Sequence, residues 1–163
     1  MRIAILSDTH DNIWRLDKAL SLMGDADALL HCGDLCSPFV IKHLGEGAPG
    51  RPIHVVWGNN DGDPRMILRV AAGHPGVKIH GPFAELEIDN LRIAVIHYPE
   101  IARPLAASGR YDLVCYGHDH SAHESRIGGC VLLNPGELMG LRGRATFAWF
   151  DTVSREVRFR EIE

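Results

Sequence analysis

The sequence contains no run of 18 apolar residues, which excludes a conventional membrane-spanning helix. Cysteine is scarce. Cys32, Cys36, Cys115 and Cys130 form no CxxC pairs and sit in or beside apolar runs, so they read as buried reduced thiols rather than zinc ligands or disulfides. A basic stripe is also missing: 17 Lys and Arg are dispersed among 21 Asp and Glu, for a net charge of −4. That balance disfavours stable binding to a long nucleic-acid backbone, but it is compatible with a small phosphorylated substrate if bound cations supply the local positive charge. There is no internal repeat, low-complexity segment or Pro/Gly-rich linker. With 163 residues, 45% of them apolar, the expectation is one domain over residues 1–163 with a substantial core. The chain passes into an apolar run at once, without a charged segment and cleavable apolar stretch, so a soluble cytoplasmic protein is expected.

What the sequence does have is a recurrence. Five short runs rich in Ile, Val and Leu, at residues 2–6, 27–31, 53–57, 91–96 and 111–116, read as strands closed by Gly, Asp or Asn. Residues with metal-ligating side chains follow each in turn: Asp8 and His10, Asp34, Asn59, His97, then His118 and His120. In open α/β sheets, ligands gather outside the carboxyl ends of strands, so residues placed in this way can meet at one spot. One ion takes roughly four to six donors, whereas seven donors with a shared carboxylate suit two ions.

Between the strands, Ile13, Leu16, Leu20 and Met23 recur at helical spacing before Gly24. A second helix is expected after Ser37-Pro38, with Val40, Ile41 and Leu44 inward and Gly45 as its stop. Asp63-Pro64 marks the start of a third. Residues 77–80, 83–88 and 91–96 follow one another with only turn residues between and suggest antiparallel pairing. A short helix over 99–108 and further strands at 122–127, 131–133, 145–151 and 156–162 complete the reading. The expected fold is α/β, a four-layer αββα sandwich of two mixed β-sheets flanked by helices.

Each chemical motif has a plainer alternative when taken alone. Asp8-x-His10 also suits a turn in which Asp8 caps the following helix. Asp34 after Gly33 also suits an ordinary turn, and Gly58-Asn59-Asn60-Asp61-Gly62 an ordinary loop. Asp61 fits a supporting contact, a helix-preceding cap or a proton carrier. His97 could simply end its strand, with Pro99 and Glu100 opening the next helix. Gly117-His118-Asp119-His120 is the sharpest signal, since residues two apart on extended chain share a side. His31, His43, His54, His74, His80 and His123 lack such context and read as structural or exposed.

Taken together, Asp8-x-His10, Gly33-Asp34, Gly58-Asn59-x-Asp61, His97 and Gly117-His118-x-His120 resemble the signature of the calcineurin-like metallophosphoesterases. The Ser7-Asp8-Thr9-His10 opening and Asn134-Pro135-Gly136 resemble the small bacterial and archaeal phosphodiesterase branch, to which the retromer scaffold subunit is related. The resemblance implies that Asp8, His10, Asp34 and His120 hold one divalent ion and Asp34, Asn59, His97 and His118 the other. Manganese is the first expectation, with iron, nickel, cobalt or zinc as alternatives. It further implies a small phosphodiester substrate, contacted around Asn59, Asn60 and His97 and attacked by a metal-bridging hydroxide. Asn60 stands where many members carry a His that contacts phosphate or protonates the leaving group; an amide can hydrogen-bond a phosphate oxygen but cannot serve as a general acid near neutral pH. That leaves Asp61 as a proton-carrier candidate. Tyr98 replaces a common Gly and Asp119 a common Thr; Asp119 is expected to point away from the metals. A protein-binding scaffold of the same fold and a phosphomonoesterase are the alternatives. Edge strands leave room for a homo-oligomer.

Overall fold

The computed structural model describes residues 1–163. The chain runs β1 (Arg2–Leu6), α1 (Ile13–Leu22), β2 (Ala28–His31), α2 (Pro38–Gly47), β3 (Ile53–Val55), α3 (Pro64–Ala72) and β4 (Val77–Ile79). It continues with β5 (Phe83–Ile88), β6 (Leu91–Ile96), α4 (Pro99–Ala107), β7 (Leu113–Cys115), β8 (His123–Ile127), β9 (Cys130–Asn134), β10 (Thr146–Asp151) and β11 (Val157–Glu161). Six strands form one sheet in the order β11-β10-β1-β2-β3-β4, and five form the other as β5-β6-β7-β9-β8. Both sheets are mixed, with β1-β2-β3-β4 parallel in the first and β6-β7-β9 parallel in the second.

Three apolar layers hold this arrangement together. The outermost packs Leu6, Leu29 and Val55 of the first sheet against Leu16, Ile41 and Ile67 of α1, α2 and α3. Between the sheets, Ile3, Ile5 and Phe150 meet Ile93, Leu113 and Leu133. On the far side, Ile96 and Tyr116 pack under Ala102 and Ala106 of α4. Central strands buried on both faces lose the polar alternation of an exposed strand, which is why β1 and β2 are continuous apolar runs. The four-layer αββα sandwich expected from the sequence is therefore the observed fold. No helix is long and apolar enough to cross a membrane.

Two local expectations and one plainer alternative need correction. β4 does not pair antiparallel with β5; it lies parallel to β3 in the first sheet, with Ile53 opposite Val77. The chain changes sheets through His80-Gly81-Pro82, where Gly81 adopts φ +77°, and only β5 and β6 form the expected antiparallel pair. Pro64–Ala72 is a crossover helix, and parallel strands joined by a helix override what the turn residues suggest. α2 also runs past Gly45 to Gly47; any side chain at Gly45 would collide with the His74 ring, so this glycine serves close packing rather than termination. Finally, α1 is capped by Asn12, whose side chain accepts from the Arg15 amide, and not by Asp8.

Candidate metal centre

Every parallel strand near the middle of either sheet points its carboxyl end at the same volume. From the first sheet, Asp8 and His10 follow β1, Asp34 follows β2 and Asn59 follows β3. From the second, His97 follows β6, and His118 and His120 follow β7. The seven residues expected to ligate metal are all brought together.

The backbone is bent hard to achieve this. Asp8, His10, Asp34, His118 and His120 all adopt left-handed conformations, with φ between 42° and 75°. Such conformations cost of order 1 kcal/mol or more for non-glycine residues and gather at functional sites. Glycines make the approach possible. A Cβ on Gly33 would stand 2.8 Å from His97 Nδ1, one on Gly58 would collide with the Asp34 carboxylate, and one on Gly117 would strike the Ser7 hydroxyl.

The donors form two overlapping groups. Ligand atoms of Asp8, His10 and His120 lie within 4.8 Å of one another, as do those of Asp8, Asp34 and His97. Asp34 Oδ2 is 3.5 Å from His10 Nε2 and equally 3.5 Å from His97 Nε2, so this carboxylate stands between the groups. Asn59 Oδ1 lies 3.1 Å from His97 Nε2 and 2.8 Å from His118 Nδ1. Asp8 Oδ1 and His10 Nε2 face each other at 3.7 Å, buried and without any hydrogen-bond partner. Buried polar atoms are normally satisfied, and a cation seated against both would satisfy them. The donor set of carboxylate, amide oxygen and imidazole suits borderline divalent ions.

Electrostatics agree with a cation site. Burial alone would raise the Asp34 carboxyl, but the His97 imidazole and the main-chain and side-chain N–H groups of Asn60 outweigh it and hold the pKa far below the usual carboxylate range. Asp8 behaves alike: burial raises it, while His10, Ser7, His97 and His120 together bring it below normal. The Asp8 carboxylate raises His10, and Asp34 and Asp8 raise His97 against its burial.

Around the donors, other contacts set their orientation. His97 donates from Nδ1 to the Cys32 carbonyl at 2.8 Å, leaving Nε2 for a ligand. Tyr98 packs against His97 and His118, with ring centroids 5.2 and 5.3 Å away. Asp119 turns toward Asn134, accepting from its Nδ2 at 2.6 Å, and so points away from the donors. Asp61 accepts from the Cys36 amide at 2.8 Å and the Gly58 amide at 2.6 Å, tying two of the ligand loops together.

Two buried residues support the centre beyond those the sequence assigned to it, His31 having been read as structural or exposed and Glu137 not singled out. His31 accepts from the Gly33 amide and donates from Nε2 to Thr9 Oγ1 at 2.8 Å, so it links the loops that carry Asp8 and Asp34; burial pushes its pKa down to about 4. Glu137 is fully buried and accepts from His120 Nδ1 at 2.6 Å. A charged residue set between Gly136 and Leu138, after the apolar run 131–133, was the available signal, since a carboxylate there requires partners.

Fold and site together define a metallophosphoesterase class of protein, and comparison with known proteins agrees. The model of the calcineurin-like phosphoesterase superfamily domain matches residues 1–155, and the chain belongs to that family. It is similar to a phosphodiesterase of Methanocaldococcus jannaschii, 34% identical over 167 residues that cover 99% of this chain and 98% of the relative. A probable metallophosphoesterase of Bacillus subtilis is 28% identical over 90% of this chain and 80% of its own length. Among solved structures, an archaeal phosphodiesterase superposes with a TM-score of 0.91 at 32% identity, covering 99% of this chain and all of the other. Vps29 of Entamoeba histolytica, at 19% identity and a TM-score of 0.70 over 99% of this chain and 98% of its own, shares the fold. The family implies divalent metal ions, and the chain has the ligand groups to hold them.

Proposed function

We propose that the protein is a dinuclear metal-dependent phosphodiesterase that hydrolyses a small diester to a monoester. The observation that carries this reading is the complete donor set, with Asp34 midway between two groups and two buried donor atoms left unsatisfied beside it. Asp8, His10, Asp34 and His120 would hold one ion and Asp34, Asn59, His97 and His118 the other, manganese being the first candidate. Such a pair of ions supplies Lewis acidity to the phosphoryl oxygens and makes hydroxide available near neutral pH for in-line attack.

The chain's own residues do the rest. Asn60, exposed at the rim, donates its side-chain amide to Asp34 Oδ2 at 2.7 Å and holds that carboxylate in place; turned outward, the same amide can donate to a phosphoryl oxygen. It has no proton to release near neutral pH. Asp61 enters as a positioning residue rather than a proton carrier, because both of its oxygens are engaged by backbone amides. Leaving groups that depart without protonation, or that take a proton from water, are therefore the ones this site handles best. Similarity to a phosphodiesterase supports a diester over a monoester. The full donor set weighs against a purely protein-binding scaffold.

The test is hydrolysis of an aryl phosphodiester by chelator-stripped protein before and after manganese is added, with Asp34→Ala alongside. Activity should return with metal in the wild type and stay at background in the variant, whose fold survives. Equal activity in both proteins would sink the assignment. A faster reaction with the corresponding monoester would redirect it to a phosphomonoesterase.

A further inference from the structure

We infer that Glu137 is a positioning residue for the metal centre: it fixes His120 in the Nδ1–H form, so that the ring presents Nε2 to the ion shared with Asp8, His10 and Asp34. The inference rests on the metal reading above, and nothing in the family pattern quoted for this chain assigns the residue.

The geometry is closed on every side. Glu137 follows β9, the neighbour of β7 in the second sheet, so it arrives from the same direction as the histidines. Asn134 makes the turn that aims it, accepting from the Gly136 amide at 2.9 Å while donating to the Gly117 carbonyl and to Asp119. Beyond Glu137, the Leu138 and Met139 amides donate to the Ser7 and Asp8 carbonyls at 3.0 and 2.9 Å, which pins this segment to the loop carrying two of the ligands. Within that frame, Glu137 Oε2 accepts from His120 Nδ1 at 2.6 Å, and Oε1 accepts from the Arg142 and Gly143 amides at 2.7 and 2.6 Å.

Each contact has a consequence. The bond to Nδ1 selects one tautomer and one ring orientation, and His120 Nε2 then lies 3.4 Å from Asp8 Oδ1, on the donor side. The two amides on Oε1 keep the carboxylate from rotating inward to become a ligand itself. A fully buried carboxylate without such partners would be costly, so its place in the core follows from the demands of the ring it holds. His97 is oriented by a backbone carbonyl, whereas His120 relies on a side chain that can be replaced.

The experiment measures manganese binding to chelator-stripped wild type, Glu137→Gln and Glu137→Asp by competition with a chromophoric chelator. Kcat and KM are determined alongside at limiting and saturating manganese. Gln cannot serve both His120 and the two amides as an acceptor at once, so one of the two binding steps should weaken about 10- to 100-fold while the other stays within about twofold. Activity should recover as manganese is raised, with KM little changed, and Asp should restore part of the affinity if it reaches the ring. Two unchanged binding steps in Glu137→Gln would overturn the inference, as would an equal loss in both steps that tracks a lower thermal midpoint of the stripped protein. Should neither variant fold, imidazole nitrogen NMR of the wild type loaded with diamagnetic zinc decides the matter, with His120 identified by His120→Asn. Protonated Nδ1 is expected, and protonated Nε2 contradicts it. Absence of any metal binding in the wild type would instead remove the underlying reading.

Discussion

Asn60 is an amide where the family resemblance implies an imidazole, and on the proposed reading the difference has a kinetic signature. Because nothing there can protonate a departing alkoxide, rates should depend steeply on leaving-group pKa. Asn60→His should flatten that dependence, speeding hydrolysis of a poor-leaving-group diester by on the order of tenfold or more relative to an aryl diester. A parallel change for both substrates would mean that position 60 handles no proton. His31 makes a different prediction. Its folded pKa, about 4, lies below the ordinary histidine value, so between about pH 6.5 and 4 the unfolded chain binds a proton that the folded chain refuses. Stability contributed by the neutral ring is complete above that window and is lost as pH falls through it. Denaturant unfolding of wild type and His31→Gln should therefore show the wild type's advantage shrinking by roughly 3 kcal/mol from pH 7 to pH 4. A constant difference would show that the buried ring titrates normally.

Elements rather than single residues set the distance between core and site. The inward face of α2, with Val40, Ile41 and Leu44 fully buried, packs into the outer apolar layer. Ile41→Ala should cost about 2–5 kcal/mol in denaturant unfolding and leave manganese affinity unchanged; a matching loss of affinity would mean the site is less rigidly carried than the packing suggests. Strand ends were the most legible feature of the sequence, because a doubly buried strand must be apolar and must stop where polar ligands begin. The boundaries of Arg2–Leu6 and Leu91–Ile96 fall where the pattern changes. What the pattern could not carry was partnership. Val77–Ile79 looks the same whether it joins β3 or β5, and Gly45 looks the same whether it ends a helix or makes room for His74. Glu137 stayed hidden because its meaning lies in His120, seventeen positions earlier and reached only through the fold.

At the scale of the molecule, the candidate centre is where the two sheets are joined. Asp8, His10, Asp34 and Asn59 come from the first, and His97, His118 and His120 from the second, so on the two-ion reading each ion spans the sandwich. Metal would then stabilise the whole fold by linkage, since the unfolded chain lacks the preformed site. Family membership, the αββα layers and the convergence of five strand ends all bear on one claim, that Asp34 is shared by two metals. The most direct measurement is the number of manganese ions bound per chain, by calorimetric titration of chelator-stripped wild type, His118→Ala and Asp34→Ala. Two ions are expected in the wild type, one tightly held in His118→Ala, and loss of tight binding at both positions in Asp34→Ala. A single ion in the wild type, or two in Asp34→Ala, would contradict that claim.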